Sequence, residues 1–310
     1  MSEKTKEKSN QGHGTGHIIQ SLIVNLLIAV AKGIAAFITS SGAMLAETIH
    51  SVADCANQGL LLLGVKQSKR APSEEHPFGY GRSSYFWSFM VAMLLFSVGG
   101  MFSIYEGVHK YTHPEPIDQV AWGIGVLAFA LILEGYATWS NIKIINKRRK
   151  GKSFFRYLKS TKDSDLVVVF GENSAACLGL LFALAALTTA YYTGDPRFDA
   201  LGSFAIGLVL IFVAIFLAIE VKSLLLGERA DPEIYETIKS LISEEPEMNG
   251  LLECKTVQQG PGEVMACMKI EFQQNLKTSE LTRVIDDFET KLRNEKPDIR
   301  WLYIEPDYKA

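Results

Sequence analysis

Residues 46–58 read "AETIHSVADCANQ", with Glu47, His50 and Asp54 set inside a long apolar stretch. If that stretch crosses a bilayer, hydrocarbon offers these groups neither water nor a counter-ion, so each needs a partner or a task. His50 and Asp54 are four apart and stack on one face of a helix, and Glu47, three before His50, extends the stripe. An imidazole and one or two carboxylates at membrane depth make a mixed nitrogen and oxygen donor set that suits a borderline divalent ion such as Zn²⁺. The alternative is that His50 and Asp54 pair with each other, or with a neighbouring helix, for packing alone.

The surrounding sequence supports the membrane setting. A helix needs about 20 mostly apolar residues to cross the hydrocarbon core. Six blocks reach that length, at roughly 18–38, 43–65, 85–108, 119–142, 164–190 and 198–220. Buried helices of a soluble protein do not account for six such blocks in the first two thirds of a chain.

Orientation follows from the basic residues of the loops. Lys66, Lys69, Arg70 and Arg82 follow the second block, and a dense basic run from Lys143 to Lys162 follows the fourth. Those loops are expected in the cytoplasm. The opposite connections carry no basic residue in "SSGA", Lys110 in "HKYTHPEPID" and Arg197 in "TGDPRFDA". Six spans then place both termini in the cytoplasm. The first residues, "MSEKTKEKSNQGHGTGH", read as a disordered tail over 1–17, without the pattern of a secretory signal or a mitochondrial presequence, which favours the inner membrane of a cell. His13 and His17 within it read as solvated tail residues.

A formal net charge of -3 and a pI near 6.1 give no reason to expect nucleic acid as a partner. The four cysteines, Cys55, Cys177, Cys254 and Cys267, lie far apart with no CxxC pair, which indicates neither a disulfide framework nor a thiolate zinc knot. No nucleotide-binding GxxxxGK[ST] occurs, and no HExxH or histidine-rich box that would point to a metalloenzyme.

Beyond "SLLLGERADPE" the texture becomes that of a small soluble domain. An amphipathic helix ("DPEIYETIKSLISEE") is followed by a strand ("LLECKTVQQ"), a "GPGE" turn, an alternating strand ("VMACMKIEFQQ"), a second helix ("TSELTRVIDDFETKLRNEK") and a last strand ("IRWLYIEP"). The order αββαβ predicts an open sheet of antiparallel strands with both helices on one face. A domain of this size is small for an isolated core, so dimerisation is expected to help stabilise it.

One helix cannot complete a metal site. The comparable acid inside another span is Glu172, beside Asn173, in "VVVFGENSAACLG", whose Gly, Ser and Ala allow close helix approach in a membrane. Asn25, Glu106, Glu134 and Glu220 are weaker candidates. Glu106 and Glu220 lie near the interfaces, where reaching for water explains them, and Glu134 is either a proton-handling group or a partner for Lys32. Histidine and carboxylates must release protons to bind a cation. A site facing the two sides alternately would therefore move metal and protons in opposite directions. An intramembrane metalloenzyme and a membrane sensor that holds metal without moving it are the other classes such a donor set allows.

Six spans, HxxxD on the second, a polar pair on the fifth and a C-terminal αββαβ domain together resemble the cation diffusion facilitators, proton-coupled exporters of divalent metals. "ETIHSVADCANQGLLLLG", "EEHPFGYGRSSYFW", "FSIYEGVHKYTHPEP" and "GENSAACLG" are similar to the branch that includes the mitochondrial zinc transporter of animals and its bacterial relatives. The resemblance covers nearly the whole chain after the tail. It implies an all-α six-helix membrane transporter domain over 18–227 and a ferredoxin-like α+β cytoplasmic domain over 228–310. It also implies a homodimer without a prosthetic group that exports Zn²⁺, or a similar ion, in exchange for protons, and is not an enzyme.

Carried over to this sequence, the family's transport site uses His50 and Asp54. The usual HxxxD of the fifth span falls on Val169 and Asn173, whereas the branch tends to carry a Glu-Asp pair there; this chain has Glu172 and Asn173. Glu172 is then the replacing carboxylate, Asn173 a neutral oxygen ligand, and Glu47 a further ligand or a supporting, proton-accepting group. An amide in place of a carboxylate weakens the case for zinc and leaves manganese, iron, cobalt or nickel open. Some members hold a second metal with two histidines in an "HPFGHG"-like loop; here it reads "HPFGYG", keeping His76 and replacing the other by Tyr80. No histidine follows His113, so the C-terminal domain is expected to dimerise without zinc.

Overall fold

The computed structural model describes residue 22 and residues 25–149 and 151–308. The tail 1–17, with His13 and His17, lies outside the described residues. The chain forms two compact units. The first contains the apolar helices together with residues Ser88–Gly151 and Asp165–Ile219; the second combines Gly64–Trp87, Lys152–Ser164 and Glu220–Ala310.

In the first unit, α1 (Asn25–Thr39) and α2 (Gly42–Ser68) are joined through Ser40, held at a left-handed φ of 54°. They are followed by α3 (Ser83–Thr112), α4 (Val120–Arg148), α6 (Ser164–Thr193) and α7 (Arg197–Leu226); the short α5 (Phe154–Ser160), in the basic connection before α6, belongs to the second unit. Among the described residues, four helices, α3, α4, α6 and α7, are long and apolar enough to cross a membrane. At 27 residues α2 is also long enough, but Glu47, His50 and Asp54 dilute its hydropathy. The described part of α1 is apolar and shorter. Large side chains on the outside of the helices, such as Phe37, Ile132 and Phe212, are exposed, an apolar surface suited to lipid rather than water.

Small residues set the closest helix approach. The middle of α3 widens into a π-helical segment at Leu95–Met101, which buries Gly99 and Gly100. A Cβ on Gly100 would stand 2.5 Å from Ile211 Cγ1, one on Gly207 would stand 2.8 Å from the Gly100 carbonyl, and one on Gly107 2.7 Å from the Phe204 amide. Contact between α3 and α7 is therefore backbone to backbone, the arrangement small residues permit in membrane helices. A second tie fixes the start of α2. Asp199 of α7 accepts from Ser41 Oγ (2.6 Å) and from the Gly42 amide (2.6 Å), so a carboxylate from another helix satisfies donors that a helix N-terminus leaves open.

In the second unit, α8 (Pro232–Glu244) starts with Asp231 accepting from the Glu233 amide at 3.0 Å and with proline at the first helical position. Strands β1 (Met248–Gly260) and β2 (Glu263–Phe272) pair antiparallel across the "GPGE" turn. Helix α9 (Thr278–Glu295) then leads to β3 (Ile299–Asp307), giving the sheet order β1-β2-β3. Alternate residues of β2, from Val264 to Phe272, are buried. Ile234, Ile238 and Leu241 of α8 and Val284, Phe288 and Leu292 of α9 share one hydrophobic cluster with them, so both helices cover the same face. The expected antiparallel sheet holds for β1 and β2 only. β3 runs parallel to β2, with Ala266 opposite Leu302. The reason is the connection: a helix crossover returns the chain to the end where β2 began, and a strand laid down from there runs parallel.

Candidate metal centre

The stripe on α2 forms as its spacing requires. His50 Nδ1 and Asp54 Oδ1 stand 3.5 Å apart, with the His50 side chain 0% exposed and that of Asp54 13%. That is too long for a hydrogen bond. Among the described residues, both ring nitrogens of His50, Asp54 Oδ1 and Glu47 Oε1 are buried without a hydrogen-bond partner. Buried polar atoms are nearly always paired. An orphaned imidazole and carboxylate one helical turn apart present lone pairs to a cation.

Across the helix interface, α6 supplies Glu172, 4% exposed. Its Oε1 accepts from Asn57 Nδ2 of α2 at 2.6 Å, which brings Glu172 close to Asp54. Asn173 follows on the same helix, its backbone carbonyl accepting from Thr138 Oγ1 of α4 at 3.2 Å. Glu47 is engaged elsewhere: Lys32 of α1 donates to its Oε2 at 3.1 Å and to Ser51 Oγ at 2.8 Å. Lys32 therefore pairs with Glu47, and Glu134 of α4 is buried near the same cluster. The structure thus places His50 and Asp54 together, with Glu172 near Asp54. It does not close them around one point, for among the described residues no group of three His, Cys, Asp or Glu side chains stands where it could hold a metal ion.

Two participants escaped the sequence reading. Asn57, three residues after Asp54 and seven after His50, continues the stripe at helical spacing, and an amide inside an apolar block is the signal that would have found it. The partner of Lys32 had no such signal, since Glu47 lies fifteen residues away on another helix. In the loop after α2, His76 stacks on Tyr80 with ring centroids 4.4 Å apart, and Tyr80 Oη lies 3.2 Å from Ser73 Oγ.

Residues 18–226 match the cation efflux transmembrane domain. The chain belongs to the cation efflux family, the cation diffusion facilitators. Its members are membrane transporters of metal ions, not enzymes. Cation efflux relatives include the human "Proton-coupled zinc antiporter SLC30A9, mitochondrial", 31% identical over 268 residues, which are 86% of this chain and 47% of that protein. "Metal tolerance protein C4" of Arabidopsis thaliana is 30% identical over 265 residues, 85% of this chain and 58% of the relative. "Cation-efflux pump FieF" of Pectobacterium atrosepticum is 24% identical over 283 residues, 90% of this chain and 88% of the relative. The chain spans about half the length of the SLC30A9 relatives it matches. A solved MamM CTD in a nickel form matches 26% of this chain at 11% identity, with a TM-score of 0.24.

Proposed function

We propose that this cation efflux protein exports Zn²⁺, or a similar transition-metal ion, from the cytoplasm in exchange for protons. The observation that carries the proposal is the orphaned pair on α2: fully buried His50 with both ring nitrogens unpartnered among the described residues, 3.5 Å from a carboxylate. His50 and Asp54 bind the ion, Glu172 joins from α6, and Asn173 contributes a neutral oxygen. Glu47, in the preceding turn of α2, is tied to Lys32 and stands behind these ligands rather than among them. Imidazole and carboxylates must be free of protons to bind a cation, so loading releases protons and proton entry releases metal. Alternating access to the two sides converts that linkage into exchange. The name of the human relative, a proton-coupled zinc antiporter, supports zinc and proton coupling.

The transporter is proposed to work as a homodimer of six-span protomers in the inner membrane of a cell, with both termini in the cytoplasm, a disordered tail over 1–17, the transmembrane domain over 18–227 and the cytoplasmic domain over 228–310. The mixed donor set with an amide oxygen keeps manganese, iron, cobalt and nickel as alternative cargo. The test is flux in proteoliposomes holding a metal-sensitive dye, with an imposed pH gradient and each of the five metals in turn. Gradient-dependent uptake with zinc fastest is expected. Metal binding without gradient-dependent flux would overturn transport and identify a sensor.

A further inference from the structure

An ammonium buried at membrane depth is costly and is retained for a task. Lys32 is 0% exposed, as is its partner Glu47. The Glu47 carboxylate is held by one oxygen. Oε2 accepts from Lys32 of α1, which is itself anchored on Ser51 of α2. Oε1, without a hydrogen-bond partner among the described residues, lies against Gly179 of α6, where a Cβ would stand only 2.2 Å from it. Any larger residue at Gly179 would fill the place the carboxylate takes. Glu47 nevertheless starts three residues before His50, on the same face of α2, where Cβ atoms are about 5–6 Å apart. Released from Lys32, a long, flexible carboxylate in a dry interior would turn to the nearest other cation, the divalent ion at His50 and Asp54.

We infer that Lys32 is a specificity-determining residue: it withholds Glu47 from the metal, and so keeps the donor set poor in carboxylate oxygens. The inference rests on the transport site proposed above. Imidazole suits zinc, whereas each added carboxylate favours harder ions such as Mn²⁺. Lys32 acts by position, through the carboxylate it holds, and does not itself touch the metal.

The test uses the full chain in lipid nanodiscs, with Zn²⁺ and Mn²⁺ affinities measured by competition titration, and the same proteins in the flux assay. Lys32→Met frees Glu47, and the Mn²⁺ to Zn²⁺ affinity ratio is expected to rise about tenfold, the effect of one added hard ligand. Lys32→Met combined with Glu47→Gln removes the freed carboxylate and is expected to return that ratio to the wild-type value. A general loosening of the helices would not be reversed by the second substitution. An unchanged ratio in Lys32→Met, or a raised ratio that persists in the double variant, overturns the inference. Should Lys32→Met fail to accumulate, the double variant, which leaves no buried charge unpaired, decides alone: a ratio displaced from wild type shows Glu47 to be a ligand already and overturns it. Binding without flux in the wild-type protein counts against transport only, and absence of binding overturns both.

Discussion

A carboxylate or imidazole inside an apolar helix bundle is informative because the environment leaves it so few reasons to be there. Asp199 is explained by the amides and hydroxyl it satisfies, and Glu47, through Oε2, by the ammonium of Lys32. His50 and Asp54 have no such account among the described residues. Asp54→Ala is therefore expected to reduce gradient-driven flux to the level of empty vesicles; wild-type flux would sink the site assignment. His50→Asp exchanges the one nitrogen donor for a fourth oxygen and is expected to shift preference from zinc toward manganese, read as the ratio of initial rates. Asn57 acts one step removed, by aiming Glu172. Asn57→Leu, which takes away that donor, is expected to weaken metal affinity about 10- to 100-fold, the usual cost of losing a group that orients a ligand, measured by the same titration. The stripe of His50, Asp54 and Glu47 was legible because all three lie within eight residues of one helix, where spacing alone fixes the face. The grip of Lys32 on Glu47 was not legible, because it depends on how α1 and α2 rotate against each other.

At the scale of elements, glycine decides how close α3 and α7 come. A side chain at Gly107 would meet the Phe204 amide at 2.7 Å and the Ala200 carbonyl at 2.9 Å, and backbone cannot turn aside as a side-chain tip can. Gly107→Leu is expected to lower the melting temperature of the purified protein by several degrees, consistent with about 1–3 kcal/mol for overpacking. Equal melting temperatures would show that α3 and α7 do not need this contact. The helical blocks were legible from apolar length, since every span must satisfy its backbone internally. The π segment at Leu95–Met101, whose Gly99 and Gly100 lie against Leu210 and Ile211 of α7, was not, because the apolar pattern of the block runs through it unchanged. Strand direction was misjudged for β3 for a related reason: alternation in "IRWLYIEP" reports which face is buried, not which way the chain runs. In β1, burial and then the neighbouring Cys267 push the Cys254 thiol up from its ordinary 9.0 to about 11. The thiol stays neutral in the folded domain while the unfolded chain ionises near 9. Its contribution to stability is thus complete below pH 9 and is lost as pH rises toward 11. Melting temperature should fall over that window, and less so in Cys254→Ala; identical profiles would remove Cys254 as a cause.

For the whole molecule, the separate character of the second unit has a consequence that can be measured. Its hydrophobic cluster is drawn entirely from residues between Ala230 and Leu302, with Phe288 and Ile238 wholly buried, so the core is complete without any membrane helix. A fragment covering 228–310 is therefore expected to be soluble and to melt in one cooperative transition. Phe288→Ala should destabilise it by about 3–5 kcal/mol, as large aromatic truncations in cores do, measured by urea unfolding. Its charges and thiols offer little to a zinc ion. Glu305 and Asp307 are taken up by Lys269 at 2.9 and 3.2 Å. No histidine follows His113 in the chain, and the two free thiols, Cys254 and Cys267, fall short of the four nitrogen or sulfur ligands a structural zinc takes. The fragment should accordingly sediment as a dimer in chelator-treated buffer and carry less than stoichiometric zinc after dialysis against it. Because a domain this small gains from burying a further face, dimerisation without metal is the outcome its physics favours. Stoichiometric zinc in the purified fragment, or a dimer that dissociates when chelator is added, would instead make this domain a metal-dependent clamp and overturn the expectation.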